Sequence, residues 1–265
     1  MISEEQKSLL IAALLELGFD SFNDEGEELK AYIHSSLYHD DILKDIDLLR
    51  DNPGIKINIS ELEDINWNKE WESNYHPVTI AGKCHVRAPF HPAQDNMAYE
   101  IIIEPKMAFG TAHHETTQLM ASWLMELDVQ GKDVLDMGCG TGLLAILANK
   151  MGARNVTGID NDEWAYKNAM ENFHNNGLDE KQVFMGDRAL IKKNSFDLIL
   201  ANINRNVLLD DMEAYSSGLK EKGMILFSGF YTGDIEAIVA RALKFGLHLA
   251  AKRSLNDWAV VLFYK

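Results

Sequence analysis

At 265 residues, 46% of them apolar, the chain is long enough for one large and one small domain with a substantial core, which excludes wholesale disorder. Acidic side chains outnumber basic ones 41 to 25, a formal net charge of −16, so direct binding to a nucleic-acid backbone is disfavoured and a basic partner is favoured. The two cysteines, Cys84 and Cys139, have no CxxC spacing and no segment approaches the ~18 apolar residues of a membrane span; a reducing, cytoplasmic setting away from membranes is expected.

Leu9, Leu10, Ala13, Leu14 and Leu17 recur at helical spacing in an opening segment too acidic for a leader peptide, and Gly18 stops the helix. "FDSF", the acidic turn "NDEGEE" and "LKAYIH" read as a hairpin, "DDILKDIDLLR" as a second helix and "GIKINISEL" as a further strand. Helix, hairpin, helix and strand over residues 1–60 make a ferredoxin-like unit with its opening strand absent. Residues 61–76 read as a linker whose Trp67 and Trp71 lie four apart on a short helix, and residues 77–265 as a second domain.

In that domain "MAYEIIIEP" is a strand leading into "MAFGTAHHETT", after which helical and strand patterns alternate to the end of the chain. Repeated βα units imply a parallel sheet covered on both faces, and the last two strands, with no helix between them, imply an antiparallel hairpin. The fold class is therefore α/β: a seven-stranded Rossmann-like sheet with a terminal hairpin, preceded by the small α+β unit.

"VLDMGCGTGLLAI" follows a strand and opens a helix, the setting of a nucleotide-binding turn. The dinucleotide pattern would place its third glycine at 143, where this chain has Leu143; the spacing is instead Asp136, Gly138, Gly140, Gly142. A carboxylate at the strand end without pyrophosphate spacing suits a cationic, phosphate-free ligand such as S-adenosylmethionine. Asp160, twenty-two residues after Gly138, ends the next strand and is positioned for ribose hydroxyls. Asp187 ends the third strand, placed either for an adenine amino group or as a helix cap. Asn202 ends the fourth, at the carboxyl edge where open α/β sheets bind ligands, with an amide that can donate and accept, suiting a ligand carboxylate or an incoming amine. Ile203 and Asn204 follow it, not the two prolines of amide and adenine methyltransferases.

"MAFGTAHHETT", "VLDMGCGTGLLAI", "GIDND" and "LILANI", in this order and spacing, resemble the bacterial ribosomal protein L-eleven methyltransferases, the PrmA family, and "WNKEWESNYHPV" is similar to that family's linker. The resemblance implies cofactor contacts at Thr117, Gly138, Asp160 and Asn202, and a loop through Phe109, Gly110 and Thr111 that closes over the methionine end of the cofactor. The family usually reads Gly-Thr-Gly-Thr-His-Pro-Thr-Thr here; this chain has Ala112, His113 and Glu115 at three of those places. Adjacent histidines rarely converge on one ion, so no metal site is expected at His113–His114. His85 and His91 read as loop residues.

The expected activity is S-adenosylmethionine-dependent methylation of amines on a basic ribosomal protein by a monomer, with Asn202 aligning the nucleophile and residues 1–60 presenting the substrate. The leaving thioether needs no general acid, so positioning and exclusion of water are the enzyme's main tasks. Alternatives are methylation of a small amine or metabolite, NAD-dependent oxidation (which Leu143 opposes), and cofactor binding without catalysis.

Overall fold

The computed structural model describes residues 4–24, 26, 28–44, 46–60, 75–106 and 109–265. The chain divides into two compact units, Met1–Glu70 and Trp71–Lys265. No helix among the described residues is long and apolar enough to cross a membrane.

In the first unit, helix α1 (Glu4–Glu16) leads into an antiparallel hairpin of β1 (Phe19–Asp24) and β2 (Leu29–Ile33). Leu10, Leu14, Phe19, Ile42 and Ile46 form its core. Lys7 of α1 is buried, and its ammonium donates to Asp24 Oδ1 at 2.8 Å and to the Gly26 carbonyl at 2.5 Å, tying helix to hairpin. The second expected helix is shorter than its pattern: hydrogen-bonded turns at His39–Lys44 precede α2, which spans only Asp47–Asp51. The strand expected over 54–62 does not form in its described part. Residues 55–60 have no ladder partner among the described residues, and Ile57 and Ile59 are 49% and 60% exposed. The alternation of Ile55, Ile57 and Ile59 meets the side-chain requirement of a strand but not its need for a neighbouring edge. The described sheet of this unit is thus two-stranded, short of the expected ferredoxin-like count. Trp67, Trp71 and the rest of 61–74 lie outside the described residues.

The second unit opens with a three-stranded sheet of β3 (Val78–Ile80), β4 (Cys84–Arg87) and β5 (Tyr99–Ile102), of which only β5 was legible as a strand. His85, expected in a loop, is instead on β4 and buried, with Nδ1 3.3 Å from Thr79 Oγ1; burial pulls its pKa down. His91 is in a loop, where its Nδ1 accepts the Ala88 N–H.

The large sheet is built from α3 (Glu115–Leu124), β6 (Asp133–Met137), α4 (Leu143–Lys150), β7 (Asn155–Asp160), α5 (Glu163–Asn175), β8 (Val183–Met185) and β9 (Phe196–Asn202). It continues through α6 (Arg205–Gly218), β10 (Leu219–Tyr231), α7 (Ile235–Lys244), β11 (His248–Leu255) and β12 (Trp258–Tyr264). The strand order is β11-β12-β10-β9-β6-β7-β8; the strands from β6 to β10 are parallel, and β12 inserts antiparallel between β10 and β11.

Successive residues of β9 show why the sheet is covered twice. Leu198 and Leu200 join the core containing α4, whereas Ile199 and Ala201 join the opposite core with Leu208, Met212 and Tyr215 of α6. All four are fully buried, and each such leucine or isoleucine contributes roughly 1.5–3 kcal/mol. At the amino ends of the strands Asp133 receives Arg154, Asn155 and Lys220, and Asp197 receives Lys220 and the Asp133 N–H. This network fastens one end of the sheet. The carboxyl end is left to loops.

Candidate active site

The turn between β6 and α4 contains Gly138 and Gly140 at φ 66° and 54°, a region that side chains resist. Space is as restrictive as torsion. A Cβ on Gly138 would overlap the Ile203 methyl, and one on Gly140 would overlap the Phe109 carbonyl oxygen. Backbone from another loop therefore lies directly on the turn.

Asp160, at the end of β7, braces the turn from the other side. Its Oδ2 accepts the Gly140 N–H at 2.8 Å and its Oδ1 the Asp162 N–H at 3.0 Å. Each oxygen keeps a lone pair for a further donor. Asp136 lies beneath the turn and is buried, its Oδ2 accepting the Ala145 N–H in the first turn of α4 at 3.1 Å. Burial, with Asp160 nearby, pushes its carboxyl up to about 8. Expected at the ligand, Asp136 is directed to the helix start. Asp187 is exposed and caps the short 3-10 turn after it, accepting the Ala189 N–H at 2.8 Å. This is the capping alternative of the two that its position allowed.

The loop of the "MAFGTAHHETT" stretch is described from Phe109 onward. The Phe109 carbonyl accepts the Thr141 N–H at 2.9 Å, and Thr141 Oγ1 donates to the Gly110 carbonyl at 2.8 Å. Thr111 Oγ1 is 3.3 Å from His113 Nδ1, while His113 Nε2 is 3.1 Å from the His76 carbonyl. His114 does something else: it caps α3, its Nδ1 accepting the Thr116 N–H at 3.2 Å. The two histidines thus engage separate partners.

Thr117 and Asn202, eighty-five residues apart, meet here. The Asn202 amide nitrogen is 3.4 Å from Thr117 Oγ1, and Thr117 is buried in the first turn of α3. Asn202 Oδ1 is buried and has no hydrogen-bond partner among the described residues. A buried unpaired amide oxygen costs about 1–3 kcal/mol, so the site is arranged for a donor from outside the chain.

Sequence reasoning missed the residues that back this arrangement. Ile203 fills the space over Gly138, and its carbonyl would overlap a Cβ on Gly229, which has φ 91°. Trp258 and Tyr231, paired at the ends of β12 and β10, stack with ring centroids 4.3 Å apart. Only strand register reveals them.

Seven strands in this order, an inserted antiparallel last strand, and a glycine-rich turn braced by the acid of the next strand define a Rossmann-like methyltransferase domain. The family model for ribosomal protein L11 methyltransferase (PrmA) matches residues 4–265, and the chain belongs to that family. A relative named ribosomal protein L11 methyltransferase from Porphyromonas gingivalis is 49% identical, over 98% of this chain and 91% of its own. One of the same name from Bacteroides fragilis is 42% identical, over 98% and 95%. The solved ribosomal protein L11 methylase of Lactobacillus delbrueckii subsp. bulgaricus is similar at a TM-score of 0.66 and 28% identity, covering 71% of this chain and 98% of that one.

Proposed function

We propose that the protein transfers methyl groups from S-adenosylmethionine to amines of the ribosomal protein for which its family is named, in the cytoplasm. The observation that carries this is the unpaired, buried Oδ1 of Asn202, beside Thr117 at the carboxyl edge of the sheet. An amine N–H is the donor that such an oxygen lacks.

The residues present fit the cofactor. The glycine turn offers backbone without side chains, the Asp160 oxygens keep lone pairs for two hydroxyl donors, and Thr117 stands at a helix start whose N–H groups suit a carboxylate. When bound, S-adenosylmethionine supplies an electrophilic methyl on a sulfonium centre. The chain supplies position. Asn202 accepts an N–H of the amine and so aims the nitrogen lone pair, while the Phe109–Ala112 loop, bonded to Thr141, keeps water from the turn. A free lysine amine has a pKa of about 10.4, and desolvation at this buried edge favours the neutral, nucleophilic form. The glycine spacing and the unpaired Asn202 oxygen support an amine over a hydride acceptor.

Intact-mass measurement of the ribosomal protein, after incubation with the full chain and S-adenosylmethionine, should show increments of one CH2 per transfer. Asn202→Ala should lose turnover by about 10²-fold, the scale of a misplaced nucleophile, and much less of its cofactor affinity. No increment with the unaltered protein, or equal loss of affinity and turnover in the variant, refutes the reading.

A further inference from the structure

Four rings form a continuous row at the carboxyl edge of the large sheet. Tyr231 stacks on Trp258 at 4.3 Å, Trp258 meets the His114 ring edge-on at 4.8 Å, and His114 lies 5.2 Å from Phe109. Both ends are open to solvent, Phe109 being 56% and Tyr231 52% exposed. The middle of the row is fixed to the candidate site. His114 caps α3 three residues before Thr117, which meets Asn202, and the Phe109 carbonyl is bonded to the glycine turn.

A protein gains little by leaving two large rings half in water at the ends of such a row, unless something else covers them. The unpaired Asn202 oxygen, linked to the row through Thr117 and the His114-capped start of α3, indicates what that is. We infer that the row is the wall along which the substrate amine reaches Asn202, with Tyr231 and Trp258 as substrate-positioning residues. This rests on the amine-methyltransferase reading above.

The chemistry suits a lysine side chain or a protein amino terminus. Aromatic faces attract an ammonium through their quadrupole, an effect of roughly 2- to 30-fold in binding. The apolar stem of a lysine gains contact along the same rings. A carboxylate in this position would bind the ammonium too, but would raise its pKa and oppose the loss of the proton that must precede transfer. Rings hold the cation without fastening its proton so firmly. The row thus guides a charged group toward a site that must receive it neutral.

The test uses the full chain with Tyr231→Leu and Trp258→Leu, and Tyr231→Phe and Trp258→Phe as ring-keeping variants. Both kinetic constants for the ribosomal protein are measured, together with S-adenosylmethionine affinity by calorimetry. The leucine variants should raise KM for the protein about 3- to 30-fold, with cofactor affinity within about two-fold of the unaltered chain, and the phenylalanine variants should restore KM. Tyr231 is half exposed at a strand end, so its variants report even where Trp258→Leu disturbs the sheet. Unchanged KM in Tyr231→Leu overturns the wall, as does a loss of cofactor affinity that matches the loss of protein affinity. If the unaltered chain methylates the ribosomal protein while Tyr231→Leu is indifferent, only the wall falls. If the unaltered chain transfers nothing, the reading beneath it falls as well.

Discussion

Residues 1–70 carry 17 acidic and 6 basic side chains, net −11, whereas residues 71–265 account for the remaining −5. The packing differs as much as the charge. Among the described residues the first unit has one small core, and Leu9, Leu15, Leu37, Ile57 and Ile59 are about half or more exposed. The second has two cores, one on each face of its sheet. The glycines of the candidate site sharpen the contrast. A Cβ on Gly138, Gly140 or Gly229 would overlap other residues, whereas one on Gly26 or Gly54 would meet nothing within 4 Å among the described residues, as at Gly82 and Gly131 elsewhere in the second unit. Attraction of a basic protein acts over roughly a Debye length and tolerates loose geometry, whereas transfer between two atoms does not. The glycines that admit no side chain at the candidate site meet the second, tighter demand.

The largest expected effect comes from the same substitution made in each unit. Gly140→Ala places a methyl against the Phe109 carbonyl, main chain that no rotamer change can move aside. Turnover should fall by at least about 10²-fold, with a clear loss of thermal stability. Gly26→Ala meets no neighbour among the described residues and incurs the torsional cost at φ 80°, about 1–2 kcal/mol, with turnover kept. Melting and turnover assays on both variants decide it, and equal effects would erase the contrast between the units.

An intermediate effect is a pH dependence specific to the second unit. Arg154, with Lys220 and Asn155, holds the Asp133 carboxyl well below the usual range, so its contribution is present above about pH 3.9 and is lost as the pH falls through the folded value. Asp136 has the opposite sign. Burial raises its folded pKa to about 8, so the native state keeps a proton that the unfolded chain releases above about pH 3.9. Stability should therefore decline as pH rises from about 4 to about 8, by at most on the order of 1.4 kcal/mol per unit, and level off beyond. Asp136→Asn should flatten that slope and leave the acid limb. In the first unit Lys7 draws the Asp24 carboxyl down, which adds only to the acid limb. Melting curves across this range check the claim, and an unchanged slope in the variant contradicts it.

The sequence carried the seven-strand pattern because runs such as "FDLILAN" are long, apolar and bounded by turns, and it offered Asp160 and Asn202 as candidates because each ends such a run, whereas Thr117 was a candidate through the family resemblance alone. What it hid was pairing. Ile55, Ile57 and Ile59 alternate as a strand should, yet none of the described residues offers them an edge, while the brief β3 and β4 exist because they pair with each other. Asp136 and Asp160 look alike in the text. Only their hydrogen-bond partners separate the acid that anchors a helix from the acid that braces the turn. Trp258 reaches the site through strand register alone, a property of two distant segments.

The smallest effect concerns the one place where the second unit departs from the glycine its family usually has. Ala112 is fully buried at φ 71°, in the loop that lies on the glycine turn. A left-handed alanine costs about 1–2 kcal/mol, which glycine would relieve. Glycine would also free the unfolded chain, at about 0.4–1 kcal/mol, and lose a buried methyl worth about 0.8 kcal/mol. These terms nearly cancel. Ala112→Gly should therefore change stability by less than about 1 kcal/mol, a melting shift of no more than about 4 °C, with turnover within about three-fold. The reason is the same as for the sensitivity of Gly140: the bonds from Thr141 to Phe109 and Gly110 fix the loop from outside, so position 112 follows its surroundings. A stability change beyond about 2 kcal/mol in either direction would mean that residue 112 itself sets the loop, and tight external support would no longer distinguish the second unit from the first.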